Sequence, residues 1–84
     1  MTAADALMMA REFQGIEKRE RENVSSLCGL YPSEAIADIF ERLEVRRSAV
    51  VALLLAARED ALEEERMELT AAASDLVDAS ARTF

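Results

Sequence analysis

Residues 33–84 read SEAIADIFERLEVRRSAVVALLLAAREDALEEERMELTAAASDLVDASARTF and contain neither Gly nor Pro. Ala, Leu, Glu and Arg dominate the stretch, and these are strong helix formers. Uninterrupted, it makes a helix of roughly 75 Å at about 1.5 Å per residue. The one strong stop signal lies just ahead of it, at Cys28-Gly29-Leu30-Tyr31-Pro32. The chain therefore reads as an all-α helical hairpin. Helix 1 covers about 3–28, a turn 29–32, and a long helix 2 about 33–81. The alternative is a three-helix bundle with a break near 58–60, where Asp60-Ala61-Leu62-Glu63 has the pattern of a capping box. The lack of Gly or Pro at that point favours the continuous helix.

Working back from the turn, Thr2 is an N-cap candidate with Asp5 three residues on. Helix 1 then carries a stripe of Ala6, Met9, Phe13, Ile16, Glu20, Val24 and Leu27, with the alternating three and four spacing of one helical face. Glu17-Lys18-Arg19-Glu20-Arg21-Glu22 is charge-balanced, and Glu17 with Arg21 is an i,i+4 pair. Gly29 suits the left-handed position after a helix end, and Ser33 is an N-cap candidate for helix 2, with Tyr31 before Pro32 as the other choice.

Helix 2 opens on Ile36, Phe40, Leu43, Val50, Leu54 and Ala57. Arg47 stands where this stripe calls for an apolar residue; its stem can run along the seam, or its head can meet Glu20 across the hairpin. From Ala49 to Ala57 the helix is apolar all round, whereas a surface helix shows one apolar stripe. Such a belt needs cover on more than one side, which a two-helix hairpin does not supply. It predicts a partner chain, a third helix or an oligomer seam. Leu55, Leu62, Leu69 and Leu76 recur every seven residues, the spacing of a coiled-coil seam. The predicted partner-binding residues are therefore Val50, Val51, Leu53, Leu54 and Leu55 in the belt, with Leu62, Leu69 and Leu76 beyond it.

Composition narrows the chemistry. The chain has 84 residues, no His and one Cys. Neither a disulfide framework nor a structural zinc site of about four Cys or His ligands is open to it, so a chain this small relies on packing or on a partner. A nucleophilic Cys28 would lack a His base, and a di-iron bundle would lack its Glu-x-x-His pairs. The net charge is −7. Eight acids against three bases fall in residues 58–84, so the acidity sits at the C-terminal end. Phosphate backbones and anionic membranes reward clustered Lys and Arg, so neither is an expected partner. The longest apolar run falls well short of the roughly 20 residues a membrane span needs. The N-terminus lacks the basic region of a secretory signal, which predicts a cytoplasmic, bacterial protein.

Two acidic pairs, Glu65 with Glu68 and Asp75 with Asp78, faintly resemble the acidic pattern of all-α nucleotide pyrophosphohydrolases, which bind magnesium. Carboxylates on one helix make no such site without a second helix, and the reading remains a solvated acidic face with no metal and no cofactor. Leu27-Cys28-Gly29 keeps the Gly but not the Trp of the WXG100-type hairpins. Gly29-Leu30-Tyr31-Pro32-Ser33-Glu34 and the Ile36/Phe40/Leu43 stripe resemble the small needle-subunit co-chaperones of bacterial type III secretion. That likeness implies a hairpin that pairs with a helical partner and keeps an aggregation-prone secretion subunit soluble. The expectation is thus a non-enzymatic helical interaction module, a chaperone or assembly subunit. The competing expectation is an acidic inhibitor, of phage type, that blocks a basic nucleic-acid-binding surface.

Overall fold

A computed structural model of the chain describes residues 2–27, 29 and 32–83; at 27 and 80–83 it describes the backbone alone. The chain is all-α. Helix α1 runs Ala3–Leu27, α2 runs Ser33–Ala57, a 3-10 turn covers Arg58–Asp60, and α3 runs Glu63–Thr83. The second helix packs against both the first and the third, in a rod of 48 × 19 × 16 Å. The favoured continuous helix 33–81 is thus corrected: the chain turns after Ala57, and the three-helix alternative is the fold.

The local chemistry at the first two ends follows the sequence. Thr2 Oγ1 accepts a hydrogen bond from the Asp5 N–H at 3.2 Å, which caps α1. Gly29 takes φ +93, the left-handed conformation that favours a residue without Cβ. At the start of α2, Pro32 itself holds the cap position in extended conformation, and its carbonyl accepts from Ala35 and Ile36 at 3.1 and 3.4 Å. Ser33 is already inside the helix, so the proposed Ser33 cap is not used. Cys28, Leu30 and Tyr31 lie outside the described residues.

The second turn explains why breaker residues were a poor guide. Ala61 is extended, with φ −88 and ψ 152, a conformation open to any L-residue. No non-Gly residue among those described has positive φ. The turn therefore needs neither Gly nor Pro. It is held by convergence on one acceptor: the Arg58 carbonyl receives the Ala61 N–H at 3.3 Å and Arg66 Nε at 3.1 Å. Helix α3 then opens on Glu63, Glu64 and Glu65, whose charge suits the positive end of a helix dipole. Leu62, not Asp60, stands just before it, and the Leu62 carbonyl accepts from Arg66 at 2.8 Å.

A proline scan checks this turn. Leu62→Pro follows an already extended residue, as proline prefers, and keeps the carbonyl in use. Its expected cost is within about 1 kcal/mol, against about 3 kcal/mol or more for Ala71→Pro inside α3. Equal losses in thermal unfolding at the two positions would mean α2 and α3 are continuous.

The core joins all three helices. Ala3, Ala6, Ala10 and Phe13 come from α1, Leu43, Val50, Leu54 and Ala57 from α2, and Leu69, Ala73 and Leu76 from α3. The α2 stripe is the one read from the sequence, with Ile36 and Phe40 half-buried. The α1 seam is rotated from the expected one. It runs Ala3-Ala6-Ala10-Phe13-Glu17, because alanines let α1 approach the other helices closely, and Met9 and Ile16 lie at its edge.

Candidate functional site: an uncovered side of the second helix

Two features of the bundle stand apart from ordinary core and ordinary surface. The first is an ion-pair network inside it. Arg47 is 4% exposed, at the centre of the α2 stripe. Its guanidinium pairs with Glu17 on α1 and with Glu44 one turn back on α2. The cross-hairpin partner is therefore Glu17, not the expected Glu20, as the rotated α1 seam requires. Arg47 Cζ lies 5.5 Å from the centroid of the Phe13 ring, within cation–π range. Glu17 also pairs with Arg21 at 3.3 Å, the i,i+4 pair read from the sequence. Arg21 Nη2 in turn donates to the Ala79 carbonyl on α3 at 3.3 Å. Four charged side chains thus tie the three helices together at one level of the rod. Burial lowers the Arg47 pKa from its usual value, because desolvation penalises the cation. A guanidinium still stays charged at neutral pH. Two members of this network, Glu44 and Arg47, also border the groove between α2 and α3.

The second feature is the outer side of α2. Between Arg47 and Arg58 the helix has no charged residue. Val50, Leu54 and Ala57 turn inward against α1 and α3. Ser48, Ala49, Ala52, Leu55 and Ala56 remain exposed, with Val45 one turn earlier, 68% exposed. The outer faces of the other helices are charged: α1 shows Arg11, Glu12, Lys18 and Arg19, and α3 shows Glu63, Glu64, Glu68, Asp75 and Asp78. The belt that called for cover on more than one side is thus covered on two sides by its own chain and open on the third.

Beside this face runs a groove between α2 and α3, lined by Glu44, Arg47, Ser48, Val51, Ala52, Leu55 and Val77. Leu55 and Val77 are 44% and 53% exposed. Val77, next to the buried Leu76, turns out to the groove.

The eight predicted partner-binding residues divide accordingly. Val50, Leu54, Leu69 and Leu76 are a correction: they are buried in the chain's own core and contribute no surface. Val51 packs against that core and also lines the groove, and Leu53 is half-buried. Leu55 and Leu62 alone are exposed. The heptad of leucines makes no single seam, because the turn at 58–62 separates its first two members from its last two. Missed by the sequence reading were Val45, Ala52 and Val77, and the available signal was the absence of charge on one flank of α2.

Among the described residues no group of three or more Cys, Asp or Glu is placed to hold a metal ion, and no helix is long and apolar enough to cross a membrane. Glu65, Glu68, Asp75 and Asp78 all lie on α3 alone.

Compared with known proteins, no family model matches the chain, and neither a curated protein nor a solved structure does. The class the structure defines is a small three-helix bundle with one uncharged, uncovered helix face.

Proposed function

We propose that this chain is a non-enzymatic helical interaction subunit, binding another helical protein through the open side of α2. The observation that carries this reading is the charge-free exposed stretch of Ser48, Ala49, Ala52, Leu55 and Ala56, between Arg47 and Arg58, in a chain that is 32% charged. A helix at the surface of a finished bundle carries charge outward, and apolar surface left open in this way is the mark of an interaction site. A small chaperone or assembly subunit is the form of interaction protein it suits, since neither role needs a catalytic group. The likeness to needle-subunit co-chaperones rests on the stretch from Gly29 to Glu34 and the Ile36/Phe40/Leu43 stripe of the sequence; the third helix goes beyond the two-helix hairpin of that family.

A second reading has its own observation. The outward face of α3 is acidic at Glu63, Glu64, Glu68, Asp75 and Asp78, as an inhibitor imitating phosphate charge would require. Salt separates the two, because exposed charge contacts are screened and apolar contacts are not.

Co-purification from source cells with the tagged chain tests the reading. Ala52→Glu with Leu55→Glu puts two charges on the open face and spares the core. The expected result is a helical protein retained at high salt by the native chain and lost by the double variant. An unchanged set of bound proteins would sink the proposal. Proteins held only at low salt, and lost when the α3 acids become Gln, would establish the acidic inhibitor instead.

A further inference from the structure

We infer that the groove between α2 and α3 receives one helix of a partner protein, with an apolar centre and Lys or Arg toward its two ends. This rests on the interaction reading above and gives it an address and a partner chemistry.

The groove is apolar in its middle and acidic at its ends. Its floor is Val51, Ala52 and Leu55 from α2 and Val77 from α3, with the small Ser48 beside them and, at the end away from the turn, Glu44 and Arg47, which pair with each other. Helical spacing extends both walls. On α2, Glu41, Ser48, Ala52 and Leu55 follow one flank at steps of three, four or seven, with Glu59 of the 3-10 turn one step beyond, and all are exposed. On α3, Glu63, Met67, Thr70, Ser74 and Val77 follow one flank at steps of four and three, again all exposed. The chain turns back between the two helices, so Glu59 and Glu63 both lie at the turn end, while Glu41 lies toward the other end, and Asp78 is exposed beside Val77. Among the described residues Arg66 is the exposed base on α3, and its Nε is drawn back onto the Arg58 carbonyl.

The charge pattern selects the occupant. These exposed carboxylates repel an acidic helix and attract a basic one, within the roughly 10 Å reach of charges at moderate salt. A second copy of this chain carries a net charge of −7 and is the wrong partner electrostatically. From Glu41 to Glu59 the groove is about 27 Å long at 1.5 Å per residue, which matches a helix of about 20 residues. Its apolar centre, about three turns, packs on Ala52, Leu55 and Val77 in the helix-in-groove manner and closes a four-helix arrangement.

Two synthetic amphipathic peptides of about 20 residues test this, both with the same Leu/Ala stripe. One carries Lys near both ends and the other Glu at the same positions. Each is titrated into the full-length isotope-labelled chain and followed by amide NMR shifts, with sedimentation and circular dichroism alongside. The expected result is preferential binding of the Lys peptide, with shifts centred on Ser48, Ala52, Leu55, Ser74 and Val77. Salt narrows the preference over the Glu peptide, because the end charges are screened, while the apolar contact persists at high salt. Val77→Glu is expected to weaken binding by about tenfold or more at unchanged helicity. Glu41→Lys with Asp78→Lys is expected to move the preference toward the Glu peptide. The inference is overturned if neither peptide shifts these residues, if both bind equally, if the shifts map to α1, or if the chain itself dimerises through the groove. A co-purified helical partner that maps elsewhere on α2 would overturn the groove address while leaving the interaction reading in place.

Discussion

Arg47→Ala is expected to destabilise the bundle by about 3–5 kcal/mol, because it strands the Glu17 carboxylate in the interior without its cation. Glu17 is 8% exposed, and Arg47 is the partner that reaches it from α2. The loss extends past the pair. Arg47 also holds Glu44 and lies over Phe13, and Glu17 holds Arg21, which reaches the α3 backbone. A chain of this size has a total stability on the order of 4–13 kcal/mol, so one substitution removes a large share of it. Urea unfolding is the measurement, with the midpoint expected to fall sharply at an unchanged slope.

The companion variant decides whether the charge or the fold is at fault. Glu17→Leu with Arg47→Leu removes both charges and refills the space with apolar volume. Buried ion pairs replaced in this way are often neutral or more stable, so the double variant is expected to regain wild-type stability or exceed it. A double variant as weak as Arg47→Ala alone would mean that the stem and ring contacts of Arg47, not its charge, hold the helices. For a buried pair that adds little net stability, the role expected here is to set the axial register of α1 against α2. The α1 seam is otherwise largely alanine, and alanines slide past a neighbour with little penalty.

How far the fold was legible follows from the same residues. The α2 stripe was readable throughout, because its large side chains at steps of three and four leave one assignment. Even Arg47 could be placed as an intruder in the seam. The α1 seam was misread by part of a turn, since size was taken as the mark of burial. Met9 and Ile16 are larger than Ala10, yet close packing of Ala3, Ala6 and Ala10 placed the smaller residues inside, and with them Glu17 in place of Glu20. The second turn was legible only in part. Its acidic run, Glu59-Asp60 and then Glu63-Glu64-Glu65, is a helix-start signal, but it was outweighed by the want of Gly or Pro. An extended Ala61 needs neither. The open side of α2 was visible as an excess of apolar residues around the helix. Which of them turn outward depends on where α3 packs, and that rests on the turn.

Leu54→Ala and Leu55→Ala are expected to separate fold from binding at adjacent positions. Leu54 is fully buried between the helices. Truncating such a leucine loses its transfer free energy and leaves a cavity, together about 2–5 kcal/mol. Leu69→Ala, also fully buried, is expected to behave alike from the α3 side. Leu55 is nearly half exposed and faces the groove, so its truncation is expected to cost within about 1 kcal/mol of stability. The order reverses for association. A partner helix seated in the groove loses an anchor with Leu55→Ala, whereas any loss with Leu54→Ala tracks the unfolded fraction and is restored by conditions that restore the fold. Thermal unfolding and partner affinity measured on the same three variants make the comparison. If Leu55→Ala unfolded the chain as much as Leu54→Ala, the α2 face would be core, and the uncovered side from which the function is inferred would not exist. If Leu54→Ala kept its stability but lost the partner, the apolar belt would be turned the other way, toward the surface first expected from its sequence.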